Sequence, residues 1–312
     1  MFGGSSPYLH QGEWQVVTLY RRAVSDLHYQ GTKPFPELDP FGPVNTQNQI
    51  NVDLTYAFSR RFSVSLNIPL SFNSFAVKRA PPGSAEREWV NTHANGLGDL
   101  SARANVWFFK PRDSGIWNIG ASLGLKAPTG KAGATDTVFG RTLPVDISIQ
   151  PGDKAWAPIA SLQGFRQFSW LTAFGSANYL FNARNTTKVP VFFQTLTNPR
   201  NTFPNSSSDQ FLYQFGASFR TRAKWPVPIL AYRISGVPVY DVFGPIDGFR
   251  RPGTIGFIEP GISYSLGEHV ITATVPIRTY VNIKDSPSTP RIEDATVPKY
   301  AFTVSWSKRF GR

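Results

Sequence analysis

The chain has 312 residues, 14% of them aromatic and none of them cysteine, so disulfide frameworks, thiolate metal sites and cysteine nucleophiles are excluded. Mean hydropathy is −0.22, and no run approaches about eighteen uncharged apolar residues, which excludes membrane-spanning helices. A net charge of +12 invites a nucleic-acid reading, but Lys and Arg are scattered through turns and alternate strand positions without a dense basic run.

From Glu13 to Arg22, Trp14, Val16, Thr18 and Tyr20 occupy every second position. Side chains of a strand alternate between faces, so a period of two predicts a strand. After a Pro- and Gly-rich gap, Ile50, Val52, Leu54, Tyr56 and Phe58 oppose Asn51, Asp53 and Thr55. The short turn Ser59-Arg60-Arg61 leads to a third strand, where Phe62, Val64, Leu66, Ile68, Leu70 and Phe72 oppose Ser63, Ser65, Asn67 and Ser71. A long gap from Asn73 to Asn95 precedes a fourth, with Leu100, Ala102, Ala104, Val106 and Phe108 against Ser101, Arg103, Asn105 and Trp107. The fifth carries Trp117, Ile119, Ala121, Leu123 and Leu125 against Asn118, Ser122 and Lys126.

The longest gap, Pro128 to Ala155, leads to a weakly patterned sixth strand over Trp156 to Gln167 and directly to a seventh ending near Phe181. Strand eight alternates Phe211, Tyr213, Phe215, Ala217 and Phe219 with Gln214, Ser218 and Arg220. Val227 to Ile234, Ile258 to Leu266 and Ile271 to Arg278 follow as strands nine to eleven. The last segment, Lys299 to Arg312, shows Tyr300, Phe302, Val304, Trp306, Lys308 and Phe310 on one face and Ala301, Thr303, Ser305, Ser307 and Arg309 on the other.

About twelve strands (fourteen as the alternative) are joined by connections that alternate between short and long. About ten residues let a tilted strand cross a bilayer, and lipid cannot satisfy an open sheet edge. The expectation is an all-β, transmembrane, antiparallel up-and-down barrel over residues 13–312, preceded by a periplasmic segment, 1–12. Short turns would face the periplasm and long loops the exterior of a bacterial outer membrane. Met1-Phe2-Gly3-Gly4-Ser5 shows no secretory signal.

Three short motifs occur in order: Gly96-Leu97-Gly98-Asp99-Leu100, Lys126-Ala127-Pro128-Thr129-Gly130, and Pro151-Gly152-Asp153-Lys154-Ala155-Trp156-Ala157-Pro158. The trio resembles the outer-membrane barrel family named after the meta-pathway of phenol degradation, whose members are regarded as channels for aromatic and other hydrophobic compounds. The resemblance implies location, fold and a hydrophobic cargo. The same residues have a structural reading as well. Gly96 and Gly98 suit sharp rim turns and Pro128 ends a strand, while Asp99 either pairs with an inward Arg or caps a rim turn.

The inward register collects Arg103, Lys126, Arg166, Arg220, Arg233, Arg278 and Arg309 against Asp53, Asp99 and Glu259. These set an anion preference or pair among themselves. Trp107, Trp170 and Phe174 are candidate lumen aromatics, as a path for solute or as space-filling rings. Phe139, Leu143 and Ile147 make the loop Thr129 to Ala155 unusually apolar, and it is a constriction or a lid on the rim. His10, His28, His93 and His269 show no catalytic or metal-ligand spacing. No enzyme activity and no cofactor are expected. Partners are membrane lipid and small solutes, not nucleic acid, with a homo-oligomer or surface partner left open. A passive channel is expected, against a structural or partner-binding barrel with no open pore.

Overall fold

The computed structural model describes residues 8–110, 116–182, 184, 186–191, 203–222, 225–288 and 294–311. β1 (Trp14–Gln30) and the short β2 (Lys33–Pro34) lead to β3 (Val44–Ala57) and β4 (Phe62–Arg79). β5 (Glu88–Leu97) and β6 (Ser101–Trp107) form one broken stave, followed by β7 (Trp117–Lys126). The hairpin of β8 (Thr135–Val138) and β9 (Arg141–Pro144) lies in the long loop before β10 (Ala157–Gln167) and β11 (Leu171–Leu180). A second external hairpin, β12 (Thr186–Pro190) with β13 (Pro204–Ser206), precedes β14 (Gln210–Phe219), β15 (Val227–Val237) and β16 (Gly253–Leu266). β17 (His269–Thr274) and β18 (Ile277–Ile283) make another broken stave, and β19 (Asp294–Phe310) closes the barrel on β1.

Twelve staves result, each antiparallel to its neighbours. The closing ladder runs from Trp14 opposite Phe310 to Gln30 opposite Asp294, so the first and last strands leave no edge for lipid to meet. Burial is inverted relative to a soluble protein. Leu123 is 72% exposed and Phe215 56%, whereas Asn118 and Ser263 are fully enclosed. Apolar residues can stay outside at that level only where hydrocarbon, rather than water, covers them. Rings gather on the outer face near the short turns, where Trp14, Tyr56, Phe58 and Phe62 form a continuous row with centroid spacings of 4.8, 4.8 and 5.6 Å. Each such pair contributes about 0.5–1.5 kcal/mol beyond area burial.

Strands are longer than the alternation predicts on the external side. β1 continues past Arg22 to Gln30, β4 past Phe72 to Arg79, and β19 starts at Asp294. The gap from Asn73 to Asn95 is thus largely a hairpin that carries β4 and β5 beyond the bilayer. The eleventh strand is split at Val275-Pro276, because Pro276 has no N–H to continue the ladder.

The break between β5 and β6 is different in kind. β4 pairs with both, Leu70 opposite Leu97 above and Asn67 opposite Ser101 below. β6 then pairs with β7, whereas among the described residues β5 has only β4 as a ladder partner. Its other edge meets a loop, with His93 N–H donating to Asp136 at 2.8 Å and Leu97 C=O accepting from Lys131 at 3.3 Å.

Candidate channel interior

At the periplasmic end, Trp107 and Phe165 project inward from β6 and β10 with centroids 5.8 Å apart. Tyr8, ahead of β1, stands edge-on to both, at 5.4 and 5.9 Å. Its hydroxyl accepts from Asn118 Nδ2 at 2.8 Å, and its carbonyl accepts from Arg309 at 3.2 Å. Phe174 joins this level opposite Phe165 in the β10–β11 register. The described part of the N-terminal segment therefore turns into the barrel mouth.

The middle of the lumen is polar. A cavity of about 170 Å³ is lined by Asp53, Asn67, Arg103, Asn105, Ser161 and Asn178, among others. Asp53 accepts from Asn67 at 3.0 Å, and Asn178 accepts from Ser161 at 2.8 Å and from Arg103 at 3.5 Å. Across the barrel, Arg233 and Glu259 form an ion pair at 2.9 Å, and Gln214 donates to the same carboxylate at 2.6 Å. Arg21 of β1 faces this interior too and donates to Gln47 at 3.3 Å.

At the external mouth the three motifs meet. The Asp99 carboxylate accepts N–H bonds from Gly130 at 2.8 Å and Asp153 at 3.2 Å. Lys126 lies 3.4 Å from Asp99 and 2.5 Å from Asp153. Thr129 Oγ1 accepts from Leu100 N–H at 2.8 Å. Burial pushes the Asp99 carboxyl above its ordinary range; the Gly130 N–H opposes that shift, the Asp153 carboxylate adds to it and Lys126 opposes it. A Cβ on Gly130 would stand 2.8 Å from the Gly98 carbonyl carbon, and one on Gly152 2.7 Å from the Gly130 oxygen. Three backbones approach here as closely as glycine permits.

This knot roots the loop, and the loop folds inward. Val145 and Ile149, both fully buried, pack with Phe75, Val77, Val90 and Ala94 of β4 and β5. Gln47 and Asn73 donate to the Ser148 and Ile149 carbonyls at 3.4 and 3.3 Å. All six of these wall positions are in the inward register. The loop therefore lies against the inner wall at the external end of the barrel. Phe139 and Leu143 pack against the cluster from the side, and Ile147 is half-buried in a 3-10 turn outside it.

Arg103, Lys126, Arg233, Arg278 and Asp53 point inward as the alternation indicates, and Asp99 fastens the knot rather than pairing with an arginine. Arg278 is spent on Tyr29, donating to its hydroxyl at 3.0 Å with the guanidinium 4.6 Å from the ring centroid. Three positions go elsewhere. Arg220 lies beyond the end of β14 and is exposed in a periplasmic turn. Trp170 stacks on Phe219, an outward residue, at 6.1 Å, so it belongs to the lipid-facing ring belt. Arg166 is opposite Trp117 in the outward register and lies over Phe168 at 5.2 Å. In each case the period was extended one or two residues into a turn or counted from the wrong face of a weakly patterned strand. Tyr300, Phe302, Trp306 and Phe310 face lipid, with Trp306 Nε1–H donating to His269 at 3.1 Å. Arg21 and Phe165 were missed, although Arg21 sits in the register opposite Tyr20 and was legible there.

The solved structure of the COG4313 outer membrane channel from Pseudomonas putida F1 superimposes with a TM-score of 0.65 at 12% identity, covering 98% of each chain. The fold is that of an outer-membrane β-barrel. A FadL homologue from Pseudomonas aeruginosa (TM-score 0.43, 11% identity, 96% of this chain and 90% of that one) and the β domain of the Bordetella autotransporter BrkA (0.47, 12%, 97% and 100%) are too distant to add to that. No family model matches the sequence, and no curated protein does. The comparisons carry the outer-membrane barrel part of the resemblance and do not carry the phenol-pathway name.

Proposed function

We propose that the barrel is a passive channel for small solutes, and that its cargo is a single-ring aromatic compound bearing a hydroxyl or carboxylate. The observation that carries this reading is the polar cavity of about 170 Å³ in the middle of the lumen. A cavity of about 150 Å³ accommodates benzene, so a single ring fits the space lined by these residues. The lining of hydroxyls and amides, with Arg103 among them, suits a polar substituent on that ring. Trp107, Phe165 and Tyr8 offer aromatic rings toward the periplasmic end.

Charge preference follows from which cations stay uncommitted. Arg233 is paired with Glu259 and Lys126 with Asp99 and Asp153. Arg103, whose carboxylate neighbour Asp53 is held by Asn67, contributes to the field along the path. The preference for anions is therefore modest and centred on β6.

Liposome swelling tests the proposal. Vesicles containing the folded chain should swell in isotonic benzoate at pH 8 well above protein-free vesicles, and should not swell in sucrose. Equal rates with and without protein would reject the channel in favour of a barrel that acts as scaffold or binds a partner through its loops.

A further inference from the structure

The net charge of this chain is not spread over it. The sequence segments at the short-turn end, 8–13, 58–62, 108–116, 166–170, 219–226, 267–269 and 308–312, hold eleven Lys and Arg and three Asp and Glu, so they carry +8 of the total +12. The remaining residues, nearly seven-eighths of the chain, carry +4. Ion pairs among the described residues lie in the lumen and the external loops, and none involves Arg60, Arg61, Arg166, Arg220 or Arg222. All five of these are exposed.

Their neighbours in sequence are lipid-facing rings. Phe58 and Phe62 bracket Arg60 and Arg61, with their own centroids 5.6 Å apart. Arg166 lies over Phe168, and Trp170 stacks on Phe219 next to Arg220. Trp225, 67% exposed, follows Arg222. Aromatic rings settle at the hydrocarbon edge, which sets the guanidinium groups one step further out, at the depth of phosphates in the facing leaflet. A rim with a large excess of positive charge, whose exposed arginines make no ion pair among the described residues, stabilises bound anions.

We propose that the periplasmic rim is a docking ring for anionic phospholipid headgroups of the inner leaflet. Each guanidinium takes a phosphate oxygen while the adjacent ring takes the upper acyl chain. The external end, where acidic and basic residues nearly balance, has no such preference. Arg61 has a second task, since its Nε and Nη2 donate to the Trp107 and Phe108 carbonyls at 3.0 and 2.9 Å, which ties two turns together.

The test is native mass spectrometry of the full folded chain, released from nanodiscs containing equal phosphatidylglycerol and phosphatidylcholine. The wild type should retain phosphatidylglycerol in roughly tenfold excess, falling as salt rises. The quadruple variant Arg60→Gln, Arg166→Gln, Arg220→Gln, Arg222→Gln, which leaves Arg61 to hold its turns, should retain the two lipids about equally. A control variant on the external side, Lys33→Gln, Lys78→Gln, Arg87→Gln, Arg141→Gln, should keep the wild-type excess. Both variants are first shown to be folded by heat-modifiable migration, and if the quadruple variant fails that check, the pair Arg166→Gln, Arg222→Gln replaces it with a proportionately smaller loss. No excess in the wild type, an excess that survives in the folded quadruple or pair variant, or its loss in the external control overturns the proposal. Capture of an acidic soluble protein with no lipid preference overturns it as well.

Discussion

Replacing Gly130 by Ala strikes the point where the three motifs meet. The added Cβ would lie 2.8 Å from the Gly98 carbonyl carbon, 2.9 Å from the Asp99 nitrogen and 2.9 Å from Asp99 Oδ1. Two of these are backbone atoms, so no side-chain rotation relieves the contact and one backbone must withdraw. Withdrawal costs about 1–3 kcal/mol as overpacking. It also costs the Gly130 N–H bond to the Asp99 carboxylate, about 1.5–3 kcal/mol for a bond to a charged group. Together these come to about 2.5–6 kcal/mol, which at about 1.4 kcal/mol per tenfold raises the population of the loop-released state by roughly two orders of magnitude or more. The barrel ladders do not run through Gly130, so the staves stay paired. Planar-bilayer recordings should show larger or more frequent openings, and trypsin should cut the folded barrel faster at Lys131, Arg141 or Lys154, all exposed on the loop. The reference variant is Gly175→Ala, whose Cβ meets only the Gln214 carbonyl oxygen at 3.6 Å and should be silent. A Gly130→Ala protein with wild-type conductance and wild-type proteolysis would refute the idea that the knot holds the loop in the mouth.

Arg103→Ser should shift the reversal potential under a salt gradient toward lower anion preference, whereas Arg220→Ser, exposed in its turn, should leave it unchanged; the opposite ranking counts against the assigned lumen path. Glu259→Leu strands Arg233 in the interior and should lower resistance to urea unfolding by about 3–5 kcal/mol, with much of that loss recovered in Glu259→Leu, Arg233→Met. Recovery no better than additive would mean that the two side chains do not act as a pair. Trp170→Ala should leave single-channel conductance alone and slow insertion into bilayers, because its ring stacks outside the barrel. A conductance change there would return it to the lumen.

How much of this was legible depends on the kind of interaction. The period of two in Ile50 to Phe58 and Phe62 to Phe72 is local, since pleating alone sends neighbours to opposite faces. It therefore showed which of Arg103, Asp53 and Trp107 share a side before any partner was known. It faltered where backbone geometry leaves the pleat. Trp170 and Arg220 sit just beyond strand ends, and Arg166 lies on a strand where Ser161 and Gln163 share a face with Ile159 and Phe165 while Ala160 and Gly164 share the other with Leu162, so no apolar register stood out. The motifs around Asp99, Lys126 and Gly152 were visible as strings, but their meeting was not, because nothing in a one-dimensional pattern says that residues up to 54 positions apart share one carboxylate.

The amino-acid order by itself determined that this chain crosses a membrane with strands, about twelve with fourteen as the alternative, and which face of most of them meets hydrocarbon. Each of those follows from the alternation of apolar and polar side chains and from the lengths of the gaps. Only the tertiary structure decided that the long loop lies within the mouth, that Lys126 and Arg278 are fastenings rather than free charges, and that Tyr8 occupies the throat. The physical reason is that closure brings inward faces of distant staves within reach of one another, and which charge finds a partner across that space is a matter of distance, not of sequence.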